Sequence, residues 1–364
     1  MNNEVKRLVN IWWVDDDFLD SSRDNYRVLK LYKKDNRLAI EGFAPLDFEK
    51  KLENTKKAPE LFLIDYKLNE IENPEGIKYA YTGTGLVGRI RDKFPEHPIY
   101  MVSRILEKRH LIEDVDLFDR LLMHESLTDR EKTAKEIMIN DALDYQKIRR
   151  IRNRHSIKPI LNLLNIPKGE IKYFEELLPE QLKGGIGDPT VHSSTGNIEF
   201  TYQLSGAIRF ARWTKRNLLL HPGPLYNDLY AATFLGMSEK YFVKSFIDKY
   251  TSFDNKVTAL YRGIFSQSSE KRLWWKGELA RYVLSQDESN EFPVTDIWRY
   301  APQVLRLERK HMSKCSVCGE LYPETVAHDP DDKNRMMPAH WRCSEVDASY
   351  QPKIGFEQLR NIVE

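Results

Sequence analysis

Cysteine is nearly missing from this sequence. The chain has three in 364 residues, all between positions 315 and 343. An odd number cannot pair fully, so a disulfide framework is excluded; the grouping points instead to metal binding in a reducing compartment. Long apolar runs are missing too, and no stretch approaches the roughly 18 residues that a membrane span needs. Neither sign of charge prevails. Fifty-six Lys and Arg stand against 55 Asp and Glu, a formal net charge of +1, so no global field recruits nucleic acid or a membrane. The start, Met1-Asn2-Asn3-Glu4, carries no signal-peptide pattern, and a cytoplasmic location is expected. There is no internal repeat and no low-complexity tract. What is left, 41% apolar and 30% charged residues, describes a globular chain with a polar surface. Its length suits two or three domains, each with its own core.

The most informative stretch is the apolar run Leu61-Phe62-Leu63-Ile64, which ends on Asp65. It has the length and composition of a buried central strand. Ile11-Trp12-Trp13-Val14 runs into Asp15-Asp16-Asp17 in the same manner. Open α/β sheets place their chemistry at the carboxyl ends of the strands. Two parallel strands that deliver carboxylates to one edge make a pocket for a hard divalent cation such as Mg²⁺. A third run, Pro98-Ile99-Tyr100-Met101-Val102, ends on Ser103, and a fourth, from Phe118 to Met123, ends on His124.

Over residues 8–127 this order resembles the receiver domain of two-component response regulators. The resemblance implies a flavodoxin-like, parallel five-stranded α/β sheet. It matches Asp15 and Asp16 to the family's acidic pair, Asp65 to the phosphoacceptor and Ser103 to the hydroxyl residue after the fourth strand. It further implies Mg²⁺ held by Asp15, Asp16, Asp65 and the backbone carbonyl of Lys67, and a histidine kinase as phosphoryl donor. His124 stands where the family has a lysine. An imidazole, with an ordinary pKa near 6.5, still donates one hydrogen bond. The alternative is that His124 lies at the surface and another cation, Arg104, serves. Residues 69–83 form an extended loop where the family has a short turn: either a tolerated insertion or a docking surface beside the site.

Beyond the first 127 residues a long helix is expected over 128–152, a linker reaching about 158. Lys147, Arg149, Arg150, Arg152, Arg154 and Lys158 make its end basic, as a solvated face or as a contact to phosphates or a partner. Residues 159–311 read as a mostly helical region, with helices over Leu204–Leu220, Tyr226–Leu235, Ser238–Tyr250, Glu270–Ser285 and Thr295–Lys310. Ser238 is a cap and Pro302 a kink. The Gly-rich Lys183-Gly184-Gly185-Ile186-Gly187 lacks the ending of a phosphate loop and reads as a plain turn. The aromatics here, Tyr230, Phe234, Tyr241, Phe242, Trp274, Trp275 and Trp298, read as core. No Ser/His/Asp or Cys/His constellation marks an enzyme.

Residues 312–364 form a small zinc-binding module. Cys315-Ser316-Val317-Cys318-Gly319 has the form of a metal knuckle, with a glycine for the tight turn. His340-Trp341-Arg342-Cys343 supplies a second pair. Cys₃His closes a tetrahedral Zn²⁺ shell of the structural type; His328 competes with His340 for the fourth place. With His328-Asp329 between two metal pairs the end also resembles zinc-bound HNH endonucleases, although its second pair is His-x-x-Cys. The expected protein is a signalling receiver whose output is a regulated protein or nucleic-acid interaction. A phosphate sink and a receiver-gated nuclease are the alternatives.

Overall fold

The computed structural model describes residues 8–66, 68, 71–72, 78–79, 83–103, 118–128, 134–151, 158–177, 190–195, 198–203, 206–248, 259–269, 271–287, 296–332 and 335–345. The chain divides into two compact units, Met1–Leu163 with Leu177–Arg212 and Leu164–Glu176 with Trp213–Glu364.

The first unit is built on a five-stranded sheet: β1 (Val9–Val14), β2 (Leu38–Phe43), β3 (Leu61–Asp65), β4 (Ile99–Ser103) and β5 (Arg120–Met123). The order is β2-β1-β3-β4-β5, and every pair is parallel. This is the doubly wound, flavodoxin-like order. Its helices are α1 (Asp24–Tyr32), α2 (Pro45–Asn54), α3 (Gly83–Lys93), the short α4 (His124–Thr128) and α5 (Ala134–Arg149).

The central strand is apolar from Leu61 to Ile64 because both faces of the sheet are covered, and all four residues are fully buried. Alternation sorts the side chains between the faces. Ile11, Trp13, Leu61, Leu63, Tyr100 and Val102 share one core with Val28, Leu29 and Tyr32 of α1 and Met138, Ile139 and Ala142 of α5. On the other face Trp12 meets Phe43, Phe48 and Phe62 edge-on, with ring centroids 5.6, 6.3 and 5.9 Å apart. Of the helix expected over 128–152, Ala134–Arg149 is described as α5, and it packs on the sheet. The Tyr32 hydroxyl ties α1 to the end of α4 by donating to the Leu127 carbonyl at 2.9 Å.

At the amino edge of the sheet Asp119 is clamped between two arginines. Its Oδ2 accepts from Arg91 of α3 at 2.6 Å and from the Ile99 N–H at 2.8 Å; its Oδ1 accepts from Arg212 at 2.7 Å. Burial pushes this carboxyl up, but the two guanidiniums outweigh it and hold it well below the usual carboxylate range.

In the second unit the three-residue strand Leu273–Trp275 pairs antiparallel with Leu225–Asn227. The sequence pattern instead puts Tyr226 and Asn227 at the start of the helix expected over Tyr226–Leu235 and Leu273–Trp275 inside the one expected over Glu270–Ser285. Leu273, Trp274 and Trp275 are all buried, and three consecutive buried residues suit a short strand better than one face of a helix. The helices begin just after, at Asp228–Phe234 and Lys276–Gln286. Phe242 and Trp274 lie in the core as expected, and Ser238 caps its helix by accepting from the Tyr241 N–H at 3.4 Å. Pro302 lies inside helix Ile297–Val304 and cannot donate to the Trp298 carbonyl. Gly236, at φ 65°, sits against that carbonyl, and a Cβ there would come within 2.4 Å of it. A hairpin of Thr190–Thr195 and Ile198–Gln203, in the first unit, has no counterpart in the sequence reading. No described helix is long and apolar enough to cross a membrane.

Candidate functional site

The carboxyl edge of the sheet gathers the acidic residues. Val14 is in register with Ile64, so Asp15 and Asp65 leave neighbouring strands at the same level. Asp65 pairs with Val102, and Ser103 with Met123, the residue before His124. Asp15, Asp65, Ser103 and His124 therefore follow one another along a single edge. Gly83 opens α3 against Asp65: a Cβ on it would meet the Asp65 carbonyl oxygen at 2.3 Å. Only glycine lets the amino end of α3 come this close to the strand end.

Asp15 is 1% exposed. It caps the turn Asp16–Leu19, its Oδ1 accepting from the Asp17 N–H at 2.9 Å. The first helix follows this turn, α1 beginning at Asp24. The other oxygen, Oδ2, accepts from Asn25 Nδ2 at 2.6 Å. Burial first, then the charges of Asp17 and Asp16, push the Asp15 carboxyl up to about 7, against the pull of those two hydrogen bonds. Among the described residues Asp15, Asp16 and Asp17 form the group whose carboxylate oxygens lie within 4.8 Å of one another. That group contains Asp17, which the sequence reading left out of the ligand set, and does not contain Asp65. Hard oxygen donors of this kind fit Mg²⁺, and a nearby cation would reverse the upward shift of a buried carboxyl.

Ser103 is buried and His124 half-buried. His124 Nε2 lies 2.5 Å from Asn25 Oδ1. Asn25, itself buried, thus touches both Asp15 and His124. Nothing in the sequence pattern singles it out; it is the second residue of α1. Lys67 and Arg104 lie outside the described residues, as do most of the loop 69–82 and the Gly-rich stretch 183–189.

A second donor set lies in the other unit. Cys315, Cys318, His340 and Cys343 bring their ligand atoms within 4.8 Å of one another. The knuckle turns at Gly319, φ 77°, whose N–H donates to the Cys315 carbonyl at 2.9 Å. The hairpin Thr325–His328 and Met336–Ala339 returns the chain, and His340 and Cys343 frame the start of helix Trp341–Glu345. His340 turns Nδ1 to Cys318 Sγ at 3.3 Å and donates from Nε2 to the Leu321 carbonyl at 3.0 Å. That second bond fixes the ring with its Nδ1 lone pair toward the sulfurs, the usual support of a metal-bound histidine. Burial raises the Cys315 thiol, but the N–H groups of Cys318, His340 and Val317 bring it down to about 7. Desolvation and the neighbouring sulfurs push Cys343 up to about 11. Three sulfurs and one imidazole nitrogen fit Zn²⁺. His328 ends its strand outside this group.

No protein-family model matches the chain, and no curated protein matches it in sequence. Solved structures similar to it include a CheY-like response regulator receiver domain protein from Methanospirillum hungatei, at 20% identity and TM-score 0.23, covering 32% of this chain and 82% of that one. A response regulator from Thermotoga maritima matches at 18% identity and TM-score 0.23, over 32% of this chain and 85% of that one. The receiver domain of a Francisella response regulator matches at 13% identity and TM-score 0.26, over 38% and 97%. At these identities and scores the fold rests on the sheet order itself.

Proposed function

We propose that this protein is a response-regulator-like signalling protein that accepts a phosphoryl group at Asp65 from a histidine kinase. One observation carries the reading: the parallel order β2-β1-β3-β4-β5 sets Asp15, Asp65, Ser103 and His124 side by side on the carboxyl edge. An Asp65 carboxylate oxygen attacks phosphorus in line, the phosphorus–nitrogen bond to the kinase histidine breaks, and an acyl phosphate forms. Asp15, Asp16, Asp65 and the Lys67 carbonyl are the proposed Mg²⁺ ligands, and the ion, when bound, neutralises charge on the transferring oxygens. The Ser103 hydroxyl then bonds the phosphoryl group and His124 flanks it, which couples modification to the surrounding loops.

In this reading residues 1–127 form the acceptor module, 128–158 the helical linker, whose α5 also closes the sheet's core, 159–311 the helical region, and 312–364 a module held by structural Zn²⁺ on Cys315, Cys318, His340 and Cys343. The output is a regulated contact with a protein or nucleic acid through the helical region and zinc module. Phosphotransfer tests this. Incubation with a labelled, autophosphorylated histidine kinase is expected to move label to the wild-type chain and not to Asp65→Asn. Label on both would defeat the assignment.

A further inference from the structure

The acidic pocket and His124 are joined by one side chain that the receiver resemblance does not include. Asn25 is 2% exposed and sits at the start of α1, between the ends of β1 and β5. Its Nδ2 lies 2.6 Å from Asp15 Oδ2, and its Oδ1 lies 2.5 Å from His124 Nε2. Both contacts are short, and together they decide which end of the Asn25 amide faces each neighbour. In its ionised form, the form a bound cation would hold, the Asp15 carboxylate only accepts; it already takes the Asp17 N–H on Oδ1. The Asn25 amide nitrogen must therefore face Asp15, which turns the amide oxygen to His124. An amide oxygen only accepts, so His124 must donate from Nε2.

From this geometry we infer that Asn25 is a positioning residue for the acceptor site: it holds His124 as the Nε2–H tautomer and links that ring to the Asp15 carboxylate. The inference rests on the proposed acceptor reading and adds to it how a histidine works in the lysine's place. A lysine ammonium carries three donors on a flexible stem and can meet a phosphoryl oxygen without outside guidance. An imidazole has two fixed nitrogens, so its orientation and tautomer must be set by a neighbour. Here that neighbour also grips a proposed metal ligand. A cation that draws on Asp15 pulls on the same amide that holds His124.

The test is nitrogen NMR of the full-length protein with ¹⁵N-labelled histidine, the His124 resonances being assigned by their loss in His124→Gln. Wild type at mildly alkaline pH, where Asp15 is ionised, is expected to show His124 as Nε2–H. Asn25→Asp keeps an acceptor for His124 and should retain that tautomer. Asn25→Ala should lose the preference. A wild-type His124 in the Nδ1–H form would overturn the inference, as would an unchanged tautomer in Asn25→Ala. Should Asn25→Ala fail to fold, the wild-type tautomer and its retention in Asn25→Asp decide the matter.

Mg²⁺ addition separates this inference from the reading beneath it. Trp12 and Trp13 lie on the strand that ends at Asp15, so their emission reports metal at the pocket. Mg²⁺ should change the tryptophan emission of both proteins, but should move the His124 nitrogens in wild type and not in Asn25→Ala. Equal movement in both would refute the link. If Mg²⁺ leaves the tryptophans unchanged, the pocket reading fails, and the tautomer comparison alone judges Asn25.

Discussion

At the scale of single residues the account turns on His124. Its Nε2 is engaged by Asn25, so its contribution to a phosphoryl group depends on where that pair holds the ring. His124→Lys restores a mobile cation at the end of β5. It is expected to leave phosphorylation of Asp65 intact and to strengthen the structural response, read as the change in amide exchange that modification causes. His124→Ala should weaken that response. Identical behaviour of the two variants would place His124 outside the site. The pocket residues were readable because Asp15, Asp65 and Ser103 each follow or close an apolar run, and a strand end is where such a residue becomes available. Asn25 was not readable: its role exists only because α1 packs across the ends of two strands ten and ninety-nine residues away in sequence.

At the scale of elements the Asp119 clamp is the most exacting feature. It fixes α3 and helix Gly206–Trp213 to the amino edge of the sheet through one fully buried carboxylate. Removing one partner of such a pair leaves an uncompensated buried charge, at a cost of about 3–5 kcal/mol. Asp119→Asn is expected to lower stability by that order in urea denaturation. Because the folded-state pKa of Asp119 is depressed, the stability it contributes is present above the ordinary carboxylate value, near 4, and lost as pH falls through and below it. The difference between wild type and Asp119→Asn should therefore shrink on acidification, whereas a difference constant down to pH 3 would exclude the ion pairs as its source. The same scale shows where sequence reading worked and where it failed. Leu61–Asp65 was legible to the residue because a strand buried on both faces has no polar position. Leu273–Trp275 was absorbed into a neighbouring helix because three apolar residues fit either pattern, and only the pairing with Leu225–Asn227 decides.

Taken as a whole, the molecule pairs a proposed phosphoryl-acceptor unit with a unit whose Cys315, Cys318, His340 and Cys343 would hold zinc. Among the described residues the core of the proposed zinc module is small, Cys315, Ala327 and Ala339 with Cys343 packed against them, and so little apolar burial leaves the segment dependent on the proposed ion. Cys318→Ser is expected to lose zinc, measured by elemental analysis, along with the order of residues 312–345, while phosphorylation at Asp65 stays unchanged. The ligands bind as thiolates and neutral imidazole, so zinc affinity should fall as pH is lowered. Wild-type protein purified without chelator and free of zinc would defeat the site; zinc kept by His340→Ala and lost by His328→Ala would correct its fourth ligand. The central claim is tested most directly by intact-mass measurement after incubation with acetyl phosphate and Mg²⁺. The account predicts one phosphoryl adduct on wild type, dependent on Mg²⁺ and missing from Asp65→Asn; an adduct that persists in Asp65→Asn would contradict it.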